Sequence, residues 1–168
     1  MKDNTPLPNI GNEQLRLEVS TSTHLSQIKL WFNDSQNVLE WAGQSFDFPT
    51  SNANFIEQLS APGFTSFSLM RNDELVGFGQ YQLHPPLLHI GRLVINPKLR
   101  GNGFAHVLLQ GLINEGTKKG AIKKVSLFVY QSNKIAYTVY MKAGFIKTVY
   151  PNGKKEINGC DYLTLSYQ

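Results

Sequence analysis

The chain reads as an α+β domain, a mixed β-sheet with helices packed on it. Three features predict this. Apolar segments between Thr65 and Ile95 give a run of three strands. Two segments with helical spacing, Ala105 to Ile113 and Ile135 to Ala143, each lie between strand-like segments. The order (one strand, two helices, three strands, then α, β, α, β, β) lacks the regular alternation of a doubly wound parallel fold.

The elements follow in order. Leu15 to Ser20, LRLEVS, alternates as a strand does. Thr23 to Phe32 reads as a helix, with Leu25, Ile28 and Phe32 on one face. A second helix starts near Ser51, which can cap NANFIEQLS. Thr65–Arg71 and Glu74–His84 flank Asn72-Asp73, a hairpin signal. Pro85-Pro86 ends the second of these strands; Leu87–Ile95 is the next, stopped by Pro97. Beyond the loop RGNGFA, Ala105, Leu108, Leu109, Leu112 and Ile113 share a helical face, and Gly120 is expected to cap that helix. In the strand Lys123 to Tyr130, Val125, Leu127 and Val129 point one way and Ser126, Phe128 and Tyr130 the other. Ile135, Ala136, Val139, Tyr140 and Ala143 form another helical face, closed by Gly144. Phe145 to Tyr150 and Asp161 to Tyr167 are closing strands, joined through a turn at Pro151-Asn152-Gly153.

Residues 1–13 are polar, carry two prolines and are expected to form a loose tail; residues 14–168 are expected to form a single domain. No apolar run approaches the ~20 residues of a membrane span, and the first residues lack the apolar stretch of a secretory signal. The single cysteine, Cys160, excludes an internal disulfide and a multi-thiolate metal site. The cytoplasm is the expected compartment, and no metal is expected. A net charge of +4 favours an anionic partner without naming one. The pairs Lys118-Lys119, Lys123-Lys124 and Lys154-Lys155 are scattered and do not interleave with aromatics, so nucleic acid is not the expected partner.

The stretch RGNGFA, Arg100 to Ala105, joins a strand to a helix. Two readings are open. The glycines can turn the backbone so that several N–H groups meet an anion at the helix start, with Arg100 adding a charge-assisted contact. Or they only serve a tight turn. A Walker A loop is excluded because Phe104-Ala105 stands where Lys-Ser/Thr is needed. A dinucleotide fingerprint is excluded by His106 and by lysines where its acid belongs.

Arg100, Gly103 and Ala105 leave the pattern R-x-x-G-x-A, which resembles the acyl-CoA pyrophosphate loop of the GNAT superfamily of N-acetyltransferases. A second segment, NKIAYTVYMKAGF, resembles that family's N-x-x-A-x-x-x-Y-x-x-x-G-F through Asn133, Ala136, Tyr140, Gly144 and Phe145. The resemblance is clear over residues 65–167; residues 15–60 fit in element order alone. It implies a mostly antiparallel sheet of about seven strands with a splayed parallel pair, flanked by about four helices. It also implies an acetyl-CoA-dependent N-acetyltransferase acting by direct attack of a primary amine, of a small molecule or a peptide, on the thioester. Dimers are common in the family.

Carried over residue by residue, the resemblance implies that Leu93, Val94 and Ile95 give backbone contacts to pantetheine. The N–H groups of Gly101, Asn102, Gly103, Phe104 and Ala105, with Arg100, would hold the diphosphate. Asn133 would contact the pantetheine arm, with Ala136 and Tyr140 lining the same site. Tyr140 is the candidate acid for the departing thiolate, mainly as a hydrogen-bond donor, since a free tyrosine near pKa ~10 sits above a thiol near ~8.5; the other reading is a core aromatic. Phe128 occupies the place where some members carry a basic Glu. His89 matches another position used for the base, and an imidazole near ~6.5 suits neutral pH; His84 or water relays are substitutes, and a structural strand histidine is the alternative. Cys160 is expected to be a plain buried thiol. Trp31, Trp41, Phe46 and Phe48 form either core or acceptor site, where Asp34, Glu40 and Asp47 would attract a cationic amine. Two other functions stay open: a non-catalytic acyl-CoA-binding module, and a basic nucleic-acid-binding domain.

Overall fold

The computed structural model describes residues 14–167; the expected N-terminal tail lies outside the described residues. The order is β1 (Leu15–Val19), α1 (Ser22–Lys29), α2 (Ser35–Ala42), α3 (Asn52–Leu59), β2 (Thr65–Arg71), β3 (Glu74–His84), β4 (Leu87–Ile95), α4 (Phe104–Thr117), β5 (Lys124–Tyr130), α5 (Lys134–Lys142), β6 (Ile146–Thr148) and β7 (Cys160–Ser166). The strands form one sheet in the order β1-β2-β3-β4-β5-β7-β6. Every neighbouring pair is antiparallel except β4 and β5, which are parallel. The α+β class with a mixed sheet is therefore as the sequence predicts, and the mostly antiparallel sheet of seven strands is as the resemblance implies. Among the described residues, no helix is long and apolar enough to cross a membrane.

Local departures have physical causes. The first helix spans Ser22–Lys29, with a capping box between Thr21 and His24, and does not reach Phe32. Leu30 caps it, and the N–H groups of Leu30, Trp31 and Phe32 close tight turns onto Gln27, Ile28 and Lys29. Helix α2 is absent from the sequence reading, so the described residues hold five helices rather than about four. Its start is marked by Asp34, whose side chain accepts from the Asn37 N–H at 2.8 Å. Helix α4 ends at Thr117, capped by Lys118, and Gly120 has no left-handed backbone, so it is not the cap. In the β2–β3 hairpin, Asn72 supplies the positive φ (53°) that glycine usually supplies.

The sheet is covered on both faces. On one side Leu108, Leu109 and Leu112 of α4 and Tyr140 of α5 bury against Leu88, Ile90, Val125 and Leu127. On the other, Ile28, Val38, Phe55 and Leu59 of α1–α3 pack with Phe78 and Val94. Burying these side chains contributes roughly 1.5–3 kcal/mol each. Helix α4 lies close to β4 because Gly116 has no side chain: a Cβ there would stand 2.5 Å from Leu88 Cδ1.

Candidate active site

The site begins where the sheet opens. Strands β4 and β5 pair over Leu87–His89 and Lys124–Ser126 and no further. Beyond that seam Ile90–Ile95 and Leu127–Tyr130 run on without pairing each other. Strand β5 stays registered with β7 along its whole length, so β4 is the strand that departs. A bulge drives the departure. Phe78 pairs with Val94 and Gln80 with Gly91, so the single residue Gly79 faces both Arg92 and Leu93. Arg92 adopts φ 54° there. The fork-facing edge of Leu93, Val94 and Ile95 is left without a strand partner.

The diverging strand leads into the glycine loop. Gly101 (φ 82°) and Gly103 (φ 80°) take left-handed backbone, and Gly103 is the N-cap of α4 with no side-chain cap. Among the described residues, no protein acceptor takes the N–H groups of Gly101, Asn102, Gly103, Phe104 or Ala105. Five successive unclaimed donors at a helix start are an arrangement able to hold an anion. The side chains of Asn102 and Phe104 are engaged elsewhere. Phe104 is buried in the core, under the Arg71 guanidinium at 5.5 Å. Asn102 Nδ2 donates to the Leu99 and Arg100 carbonyls, and exposed Arg100 donates through Nε to the Ile95 carbonyl at 3.4 Å.

Across the fork, Asn133 caps α5, its Oδ1 accepting from the Ala136 N–H at 3.2 Å. Its Nδ2 has no protein acceptor among the described residues. Tyr140, one helix turn beyond Ala136, is buried on the α4 side, its ring 6.1 Å from Phe145. Its hydroxyl has no protein partner among the described residues, and burial raises its pKa well above the ordinary tyrosine value.

His89 faces the opposite side of the sheet, since its neighbours Leu88 and Ile90 are both in the α4-side core. Its Nδ1 lies 2.9 Å from Ser126 Oγ, and its ring is 5.4 Å from Phe128. The expectation of an imidazole near 6.5 is corrected here. Burial first, then the positive charges of Lys154 and His84, push it down to about 4. His89 is thus neutral at physiological pH. His84 sits exposed at the β3–β4 turn, paired with Leu87 and away from the fork.

Cys160 is buried at the start of β7, where burial raises its thiol pKa; it is not poised as a nucleophile. Phe46 belongs to the core under α1–α3, with Trp31, Trp41 and Phe48 packed against it. The acids of that region are engaged by their neighbours. Asp34 caps α2, Asp47 accepts from Asn54 Nδ2, and Glu40 accepts from Ser132 Oγ at 2.9 Å. Sequence reading missed two residues at the fork. Ser126 was legible only as the outward-pointing partner of Phe128, and Arg92 carries no signal until the bulge is seen.

The fold has relatives among solved structures. Aminoglycoside acetyltransferase AAC(6')-Ib in complex with coenzyme A superposes with a TM-score of 0.70 at 22% identity, over 91% of this chain and 95% of that one. Spermidine N-acetyltransferase from Vibrio cholerae, in complex with CoA and spermine, gives 0.71 at 18% identity, over 90% and 95%. The ribosomal-protein-S18-alanine N-acetyltransferase from Escherichia coli gives 0.63 at 20%, over 91% and 94%. The family described as "Acetyltransferase (GNAT) family" matches residues 30–145, from the end of α1 to the end of the second motif. The chain belongs to the GNAT acetyltransferase family.

Proposed function

We propose that the protein is an acetyl-CoA-dependent N-acetyltransferase that moves an acetyl group onto a primary amine by direct attack. The observation that carries this reading is the row of unclaimed N–H groups from Gly101 to Ala105, at the end of a strand that has left its neighbour. Those residues fit a diphosphate followed by an extended arm. The loop amides and Arg100 hold the phosphates, and the edge of Leu93–Ile95 that lacks a strand partner holds the pantetheine as an added strand would. Asn133 offers Nδ2 to the same arm, beside Ala136, whose small side chain leaves room. Bound there, the group supplies an activated thioester carbonyl.

The fork connects the two faces of the sheet, and this separates the roles. Tyr140 stands on the α4–α5 side with a protonated, unpartnered hydroxyl, suited to donate a hydrogen bond to a departing thiolate. A backbone N–H of the Leu93–Ile95 edge is suited to the developing oxyanion. His89 stands at the seam on the other face, where the amine enters. With the Nδ1–H donating to Ser126 Oγ, its Nε2 lone pair is open to the amine's proton. An imidazole pushed down to about 4 is a weak base, so this site favours amines that are themselves easily deprotonated, such as an α-amine near ~8 over a lysine near ~10.4.

The test is release of the CoA thiol from acetyl-CoA across a panel of amines, beside calorimetric titration with CoA. Turnover of at least one amine supports the reading. CoA binding with no turnover on any amine would favour a non-catalytic acyl-CoA-binding module.

A further inference from the structure

Arg92 occupies the bulge of β4 and has no role in the reading above. Its guanidinium lies over the ring of Phe64, at 4.8 Å, and over that of Phe46, at 5.3 Å. Its hydrogen bond runs from Nη1 to Gln80 Oε1 at 2.9 Å. Gln80 is itself fixed, because its Nε2 donates to the Leu59 carbonyl and to Ser66 Oγ. Among the described residues, no carboxylate pairs with Arg92. Most of its five N–H donors are therefore uncommitted on a group that burial makes less willing to hold its charge. A half-buried cation without a counter-ion is costly unless something supplies one.

A second cation lies on the same face. Lys154 Nζ stands 5.3 Å from the centre of the Phe128 ring, and that ring is 5.4 Å from His89. Among the described residues Lys154 has no acidic partner. The acids of α2 and its following loop, Asp34, Glu40 and Asp47, are held by neighbouring groups. Lys154 is thus the cation beyond the Phe128 ring from His89. Along β4, His89 and Arg92 are three residues apart, about 10 Å of strand. An acceptor with several positive charges meets like charge here, while one with an anion beside its amine meets two partners.

We infer that the acceptor is an amino acid, a primary amine carrying its own carboxylate, with Arg92 and Lys154 taking the carboxylate while the amine faces His89. This rests on the acetyl-transfer reading above. Arg92 suits the task because a guanidinium can grip a carboxylate with two parallel hydrogen bonds.

Matched acceptors differing only in the carboxylate test it: leucine against isopentylamine, phenylalanine against phenethylamine, with spermidine as a polycation. Each amino acid should exceed its decarboxylated twin in kcat/KM by about tenfold or more. Arg92→Gln should erase that preference while changing the rate on the plain amines by less than about twofold. Lys154→Gln, an exposed change that leaves the core untouched, should reduce the same preference, so the test does not depend on how Arg92→Gln folds. Faster turnover of plain amines or spermidine than of amino acids overturns the inference and leaves acetyl transfer standing. Loss of both classes equally in Arg92→Gln, with the preference intact in Lys154→Gln, also overturns it. Release of no thiol with any acceptor overturns both readings.

Discussion

The imidazole of His89 and the hydroxyl of Ser126 meet at 2.9 Å, at the last register pair before β4 and β5 part. The bond fixes the ring where the sheet opens, in a setting that disfavours its protonated form.

That setting makes stability depend on pH with a definite sign. An imidazole in the unfolded chain takes up a proton near 6.5, while His89 in the folded protein resists until about 4. Its contribution is intact above about 6.5, declines as pH falls through that window and is lost below about 4. The loss is on the order of 3 kcal/mol. Urea unfolding between pH 7 and 4 measures it, and His89→Gln should flatten the slope; an equal slope in the variant would assign it to another group.

The same value governs catalysis. With His89 as the base, the acidic limb of kcat/KM should fall near pH 4 in the free enzyme, and His89→Ala should remove it. A limb near 6.5 that survives in the variant would clear His89 of the role.

Tyr140→Phe deletes a hydroxyl that has no protein partner among the described residues. Thermal stability should therefore hold or rise. We expect kcat to fall by about tenfold or more, with CoA affinity within about threefold. An unchanged kcat would leave Tyr140 as packing alone.

Gly103 combines a φ of 80° with the centre of the amide row. Gly103→Val should cost about 1–2 kcal/mol of stability through the backbone alone. It should weaken CoA binding by more than tenfold, roughly, since a side chain enters the space the diphosphate needs. Calorimetry beside a melting curve separates the two effects; tight CoA binding by a well-folded variant would place the diphosphate elsewhere.

Gly116→Ala sets a methyl group 2.5 Å from Leu88 Cδ1. Overpacking of this kind costs about 1–3 kcal/mol. Adding Leu88→Ala should recover part of the loss, and a double-mutant cycle by chemical denaturation reads the coupling.

Much of this was legible in the sequence, for identifiable reasons. Strand alternation and the spacing of Leu108, Leu109 and Leu112 report burial directly, so the sheet and α4 were predictable. The motif from Arg100 to Ala105 states its backbone demand through two glycines, and both do take positive φ. Helix α2 was not legible because it is eight residues long and fully buries Val38 alone, although Asp34 and Gly43 mark its two ends. The lowered pKa of His89 could not be read, because it arises from burial and from Lys154, which is distant in sequence. Arg92 was unreadable for a similar reason: a bulge is a property of two strands together.

The parting of β4 from β5 exposes strand edges in the interior of a sheet, where most proteins keep none. Bare edges invite any extended chain to add on, including one from an unfolded neighbour. Whatever settles between the two strands therefore also acts as a plug, and a population starved of its acyl donor should clump sooner on warming than one kept supplied.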